Sequence, residues 1–553
     1  MSLTFAQRMG YQIDRIVGVF RPEAGLRRMG ARATMSQVEA LMGGQGGYDG
    51  GKSNRLTRGR GGNRVSENGV PREQIARVRY AARDLYRNNP HARKIVGSLQ
   101  SKVIGRGPRP MPLARLADGS PHTEFRDLAR ALWQEVNCCF DYRGKPGFGG
   151  QSLIELHKLA LSSCILEGDV LYRPRPVDRR KQMQLGLPIP LQLQLIHAER
   201  LVENDSLPNE AGSNRVYRGI ELDADGVRQA YWLYDSHPGD PGADQKSRRV
   251  PANEIGHVYA ATDIDQLRGV SWFAPALLQM RDTGDYQYNE LKASALAACV
   301  ALGIRRPQGS SAFGVSLPED WSSTDGDGNT LTAMQPGMII DLGTDGEMTG
   351  FNPNRPSGNA EAFIQHMQRA IAAAMPGVKS STLTGDYRNS SFSSEKSADN
   401  DSWPEIEGLQ DWFYFAFSQP IFEAVVTTGV MSGYFDGVIT PEEFAARKHN
   451  YLRCAWQGPV ARSINPTDDV KAAVLRIAAG ISSPQIEAES IGHEFVEVLK
   501  QLQEAFEQGT AHQLPEAYCE QIIGLLAANK TAQAAEESAD AAKANAGKGS
   551  ANE

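Results

Sequence analysis

Cysteine is scarce in this chain: six among 553 residues. Only Cys138 and Cys139 are neighbours, and no Cys-x-x-Cys occurs. That excludes a disulfide-stapled scaffold and reads as reduced, intracellular thiols. Long apolar runs are missing as well. The longest, residues 293–304, is interrupted by Ser294 and Gly303 and is too short to span a bilayer. Residues 1–20 carry Arg8, Asp14 and Arg15 among their apolar positions, so no signal peptide is expected. Positive charge is not in excess: 59 Lys and Arg face 65 Asp and Glu, a net charge of −6. A protein that coats or condenses DNA needs the opposite balance, because each phosphate contact takes a cation. The ten histidines are isolated in sequence and none pairs with a Cys at ligand spacing. No G-x-S-x-G elbow is present, so no catalytic, metal or cofactor residue is expected. What remains is a multidomain protein, expected to be soluble and made in the cytoplasm. Its 41% hydrophobic and 22% charged residues suffice for ordinary cores.

The order signal starts at Pro71. Residues 21–70 are crowded with glycine and read as a flexible arm, because they offer little to bury. Ile75, Val78, Ala82 and Leu85 recur at helical spacing, Pro90 interrupts, and Ile95, Leu99 and Val103 resume the pattern. Phe125, Leu128, Leu132 and Val136 mark a second helical region, and Leu153, Leu156 and Ala160 a third that stops at Gly168. The period then changes to two: Leu191, Leu193 and Leu195 alternate with glutamines. Asp225-Gly226 separates two strand-like runs, 219–222 and 229–234, as a hairpin turn would. Residues 170–260 are therefore mostly β. Residues 275–302 read as one unbroken helix with small residues suited to close packing, followed by a short strand at 338–341. Residues 358–375 read as a helix, 376–394 as a loop, and Thr440-Pro441-Glu442-Glu443 as a helix start. From about residue 527 the composition is low in complexity.

Three local matches to known motifs fail on context. Gly46-Gly47-Tyr48-Asp49-Gly50-Gly51-Lys52-Ser53 fits a phosphate loop, but no strand precedes it and no helix follows it. Asp325-Gly326-Asp327-Gly328-Asn329 begins like a calcium loop, yet Thr330 and Pro336 stand where Gly and Glu are needed. His493-Glu494 lacks the second histidine of a zinc helix, and the stretch reads as an ordinary helix. Two other features carry more. Between Lys52 and Arg109, fifteen basic residues face only Glu67, Glu73 and Asp84. The run fits an arm that faces phosphate, and equally a basic face that complements a neighbouring subunit. The polar loop after 376 carries Lys379 and Arg388, with Lys396 just beyond, as phosphate contacts, and long loops between helices are often functional.

Taken in order, several short runs resemble the portal proteins of tailed phages of the lambda type. They are Arg87-Asn88-Asn89-Pro90, Leu166-Glu167-Gly168-Asp169 and the stretch from Gln266 through Arg268-Gly269-Val270-Ser271-Trp272 to Pro275. Leu383-Thr384-Gly385-Asp386-Tyr387, Ser390-Ser391-Phe392-Ser393-Ser394 and Ala455-Trp456-Gln457-Gly458 with Asn465-Pro466 follow. The resemblance covers about residues 71–505. Glu395-Lys396 stands where such proteins usually have Ala-Arg, and Asn465 where they have Asp.

The resemblance implies an α+β portal fold that forms rings, usually of twelve. Its parts would be an arm (1–70), a wing (71–270), stem and clip (271–356), a helix with tunnel loop (357–396), a helical crown (397–505) and a tail (506–553). It implies a channel at one capsid vertex for packaging and ejecting double-stranded DNA, with no enzymatic activity and no cofactor. Implied partners are further copies of the chain, the terminase large subunit, the major capsid protein or scaffold, and head–tail connector proteins, with no membrane. The protein would reside in the virion, and in the host cytoplasm during assembly. The channel-facing residues implied are Lys379, Thr382, Leu383, Thr384, Gly385, Asp386, Tyr387, Arg388, Asn389, Ser390, Ser391, Phe392 and Lys396. Two other classes stay open on the residues alone: a virion-associated nucleic-acid enzyme and a monomeric binding module.

Overall fold

The computed structural model describes residues 66–203, 214–243, 246–304, 322–324, 330–332, 338–341, 360–388, 391–461 and 465–511. The chain divides into two units, 1–70 and 71–553. In the first, the described residues hold one turn of 3-10 helix, Glu67–Gly69. The phosphate-loop match at 46–53, the calcium-loop match at 325–329 and the tail beyond 511 lie outside the described residues.

The second unit opens with α1 (Arg72–Asn88) and α2 (Pro90–Val103). Asn89 is extended between them, its side chain accepts the N–H groups of His91 and Ala92, and Pro90 takes the first helical position. An Asn-Pro pair thus ends one helix and starts the next. Strand β1 (Arg109–Pro112), α3 (Thr123–Val136) and α4 (Leu153–Glu167) follow. Ser152 and Glu155 form a reciprocal cap at the start of α4, and Gly168 ends it. The β region comprises β2 (Asp169–Pro176), β3 (Leu191–Ile196), β4 (Arg215–Tyr217), β5 (Ile220–Leu222), β6 (Arg228–Tyr234), β7 (Ser247–Pro251) and β8 (Gly256–Tyr259). A short helix, α5 (Arg179–Leu185), sits between β2 and β3. Two antiparallel sheets result, ordered β3-β2-β8 and β4-β5-β6-β7. The expected hairpin is present, with Asp223 accepting the N–H groups of Asp225 and Val227 across the turn.

The helix expected at 275–302 is shorter. It spans Leu277–Cys299 as α6 and passes into strand β9 (Val300–Ile304). The cause is a partner remote in sequence: β12 (Met338–Asp341) pairs with β9 in parallel and supplies backbone hydrogen bonds, and Gly303 weakens the helical alternative. Strands β10 (Ser322–Thr324) and β11 (Thr330–Thr332) pair antiparallel. Helix α7 (Ala360–Ala373) precedes the region read as a loop at 376–394. That region is not a loop throughout. Ser380–Thr384 forms α8, and α9 (Phe392–Phe413) begins with Ser391 as its cap.

A π-helical turn, Tyr414–Ser418, joins α9 to α10 (Gln419–Met431). Next come α11 (Pro441–Ala446), α12 (Lys448–Tyr451), β13 (Cys454–Gln457), α13 (Pro466–Ala478), α14 (Pro484–Ser490) and α15 (Phe495–Ala511). Thr440 caps α11 as its sequence predicts. His493 and Glu494 precede α15 and are not part of it, a correction to the helical reading of that stretch: His493 donates its N–H to Ala488, and Glu494 pairs with Arg130 at 2.6 Å.

One large apolar core joins α2, α3 and α4 to α8, α9 and α10. Leu99, Phe125, Leu156, Leu383, Phe413 and Phe422 all lie in it. A smaller core holds Leu171, Ile196, Leu201, Ile220 and Leu233. Strand β2 is the seam: Val170 and Tyr172 face the large core and Leu171 the small one, as alternation along a strand requires. Buried polar groups are matched at the joints. Tyr414 donates its hydroxyl to the Val103 carbonyl, and Gln410 donates to Lys102 and Pro459 at 2.8 Å each. His157 bridges the Leu153 carbonyl at 2.7 Å and the Ser418 hydroxyl at 3.0 Å. Burial holds its pKa down at about 4.

Candidate functional site

Two of the sequence runs that are a hundred residues apart meet back to back. Gly168 has φ +96°, and a Cβ there would collide with the Gly269 backbone; a Cβ on Gly269 would collide with Gly168. Only glycine fits at both positions. Their neighbours then pair. Asp169 is fully buried and meets Arg268, Arg79 at 3.7 Å and His257 at 3.2 Å. Arg79 also donates to the Glu167 carbonyl at 3.0 Å and reaches Glu203 at 3.1 Å, while Arg268 donates to Ala198 at 3.2 Å. Burial alone would raise the Asp169 carboxyl, but the Arg268 and Arg79 guanidinia overcome it and hold it well below the usual range. His257 is pushed down to about 4 by burial, against the pull of Asp169. Ser271 and Trp272 both bond to the Ile165 carbonyl, at 3.1 and 2.9 Å, and fix the start of the segment leading to α6. The hub is therefore a frame, with its charges spent on one another.

Part of the basic run is absorbed in the same way. Arg79 is buried, Arg72 bonds to the Glu203 carbonyl, and Arg83 pairs with Glu199. Arg77, Arg87, Arg93, Lys94, Arg106 and Arg109 remain exposed. Lys102 turns inward and donates to the Gly377 carbonyl at 2.8 Å. A lysine of the basic run thus holds the start of the segment at 376–391.

That segment is anchored at several points. Gly377 has φ +63°, its N–H donates to Glu405 at 2.5 Å, and a Cβ there would strike Ile406. Lys379 lies against Glu395 at 2.9 Å and Asp399 at 2.6 Å. Burial opposes its charge, but hydrogen bonds to Asp399 and Glu395 raise its pKa. Thr382 is half-buried and Leu383 is in the core, whereas Thr384 is exposed and bonds back to Ser380 at 2.9 Å. Gly385 ends α8 in the left-handed conformation, with φ +70°. The exposed tip follows. Arg388 is 76% exposed, and its guanidinium clasps Asp386 at 2.7 Å and approaches Glu361 at 3.6 Å. Hydrogen bonds from Arg388 hold Asp386 at about 2. Tyr387 is 56% exposed. Asn389 and Ser390 lie outside the described residues, as does the Phe392 side chain; Ser391 caps α9, and Lys396 is exposed on its first turns.

The tip faces an open groove whose other walls are α6 and α7, with Glu290, Gln365 and Arg369 among the lining residues. The sequence-chosen residues fall into three environments: Lys379 in an ionic clasp, Leu383 in the core, and Tyr387 with Arg388 at the tip. Sequence reading missed Lys102 and Glu405 as anchors. Nothing in the sequence around them marks that role: Ser98 and Ser101 adjoin Lys102, and Asp401 and Ser402 lie on the turn before Glu405.

A family model described as phage portal protein, lambda family, matches residues 53–410. The probable portal protein of Halomonas phage phiHAP-1 is 27% identical over 350 residues, covering 62% of this chain and 63% of that protein. Portal protein B of Escherichia phage lambda is 23% identical over 477 residues, covering 79% of this chain and 85% of its own length. Among solved structures, the neck of an empty gene transfer agent particle computed with C6 symmetry covers 79% of this chain and 98% of that chain. Its identity is 15% and its TM-score 0.37.

Proposed function

The chain belongs to the lambda family of phage portal proteins, and on that premise we propose that it forms a ring at one capsid vertex through which double-stranded DNA is packaged and ejected. The match over residues 53–410 carries this reading. The parts follow the resemblance: a wing to about residue 270, stem and clip to about 356, a tunnel loop within 376–396 and a crown to about 505. Terminase large subunit, capsid protein or scaffold, and head–tail connector proteins would dock on the ring, which would assemble in the host cytoplasm and end in the virion. The chain is a structural conduit and not an enzyme; ATP hydrolysis would belong to the motor that docks on it.

The electrostatics support a conduit. At −6 per chain, a ring of many copies repels DNA on average, so duplex moves without being held. Grip would come from a few cations on exposed tips. Arg388 suits this, because its contacts to Asp386 are solvent-exposed and phosphate can compete for them. We assign residues 382–394 to the narrowest part of the channel. The purified protein should run at roughly twelve times the 60.3 kDa chain and show a central hole in negative-stain images. A 60.3 kDa monomer at every salt and protein concentration would overturn the ring reading. An image that places residue 388 on the outer rim would overturn the tunnel-loop assignment.

A further inference from the structure

Two histidines forty residues apart in sequence come together at the junction of α1, α4 and the β region. The His197 and His237 rings pack edge to face with centroids 4.5 Å apart. His197 Nε2 lies 2.6 Å from Glu167 Oε1, and His237 Nε2 lies 3.0 Å from Glu199 Oε2. One ligand atom each from His197, Glu199 and His237 can be chosen so that all lie within 4.8 Å of one another. The two imidazoles are 30% and 23% exposed, so the cluster is open to solvent on one side, while Glu167 and Glu199 are 6% and 12% exposed.

The cluster is incompletely satisfied as it stands. Glu167 Oε2 is buried and has no hydrogen-bond partner, and neither has Arg83 Nε beside it. Arg83 pairs with Oε1 of Glu199 and lies 3.7 Å from Oε1 of Glu167, so it offers nothing to the second oxygen of either carboxylate. A buried carboxylate oxygen without a donor is costly, and a bound cation is one of the usual remedies.

We infer that His197, Glu199 and His237, with Glu167 drawn in from beside His197 as a fourth ligand, form a binding site for a zinc ion, which clamps the β region to the helical body. Two imidazoles and two carboxylates, with no thiolate, are a donor set that zinc accepts in four-coordinate geometry. Arg83 stays as an outer partner of both carboxylates and orients them. Binding requires one rearrangement. Nδ1 of His197 accepts the Glu199 N–H at 3.2 Å and Nδ1 of His237 accepts the Gly239 N–H at 3.0 Å, so both rings now carry their proton on Nε2. Taking the metal on Nε2 moves each proton to Nδ1 and displaces those two backbone N–H groups. The Nε2–H contacts to Glu167 and Glu199 are given up as well, so four hydrogen bonds, two of them to carboxylates, are exchanged for the ligand bonds.

The experiment uses the full-length assembled protein, stripped with chelator, dialysed against zinc and desalted. We expect about one zinc per chain by elemental analysis, a higher melting temperature with zinc than without, and a tetrahedral d–d absorption band when cobalt replaces zinc. His237→Gln should lose at least tenfold in zinc affinity, together with the cobalt band, and keep the native circular-dichroism spectrum. Glu199→Gln provides a second test should His237→Gln misfold. Zinc retained equally by both variants, or no zinc above the buffer in the native protein, would overturn the site.

Discussion

The hub around Asp169 and the tip at residues 385–388 both set a carboxylate against arginine, and they behave as opposites. In the hub, Asp169 and Arg268 are sealed from water and each contact is fixed by a glycine pair that admits no side chain. At the tip, Asp386 and Arg388 are two residues apart and largely in solvent. Coulomb attraction in water is weak and exchangeable, while in the interior each partner is indispensable once the other is buried. The same chemistry therefore builds a frame in one place and an exposed, exchangeable contact in the other, the one we propose for DNA phosphate.

The comparison breaks first at Asp169. Asp169→Ala leaves Arg79 and Arg268 buried without their counter-charge, and should cost about 3–5 kcal/mol in denaturant unfolding. A loss below 1 kcal/mol would make the hub no stronger than the tip. Acid should act on the frame next. His157 is buried and neutral, with its pKa lowered to about 4, so between there and the usual value near 6.5 the unfolded chain binds a proton that the folded chain does not. Stability from this group is intact above about pH 6.5 and is lost as pH falls toward 4, by up to about 3 kcal/mol. Chemical denaturation at pH 7 and pH 5 measures it together with the like contribution of His257, and His157→Gln should remove its own share of the difference.

The anchors come third. Lys102→Met removes the charged donor from the Gly377 carbonyl and should cost about 1–3 kcal/mol, with faster proteolysis at residues 385–390 than in the native protein. The smallest effect on stability belongs to the tip. Arg388→Glu should shift the unfolding midpoint by no more than about 0.5 kcal/mol, and rings should still assemble. Packaging by those rings should slow, or packaged DNA slip, and the defect should be greatest at low salt, where phosphate contacts count most. Normal packaging would remove Arg388 from the channel.

The sequence made local structure legible where a single period or cap decides it. The α1–α2 break at Asn89-Pro90, the turn at Asp225-Gly226 and the cap at Thr440 each depend on residues within a few positions. What it hid depends on distant partners. A serine- and threonine-rich stretch is a poor helix former, yet 380–384 is helical because Leu383 is drawn into the core and Lys379 is held by Glu395. The strand at 300–304 needs 338–341, and no window of fifteen residues contains both. The glycine pair was visible as two separate runs, without a sign that they touch. His197 and His237 lacked even that, because forty residues separate them and neither stands in a motif.

Strand β1 sets a schedule for synthesis. Residues 109–112 pair with 454–457, so the first strand among the described residues waits about 340 residues for its mate, roughly 20–70 s at 5–20 residues per second. Over that interval α2, α3 and α4 lack the α9 and α10 faces that complete their core, and their apolar stripes are open to other nascent chains. Such non-local contacts make folding slow and aggregation-exposed. Chains cut short before residue 454 would therefore be natural clients of chaperones and, in the ring we propose, poor competitors for a place, which would favour finished subunits.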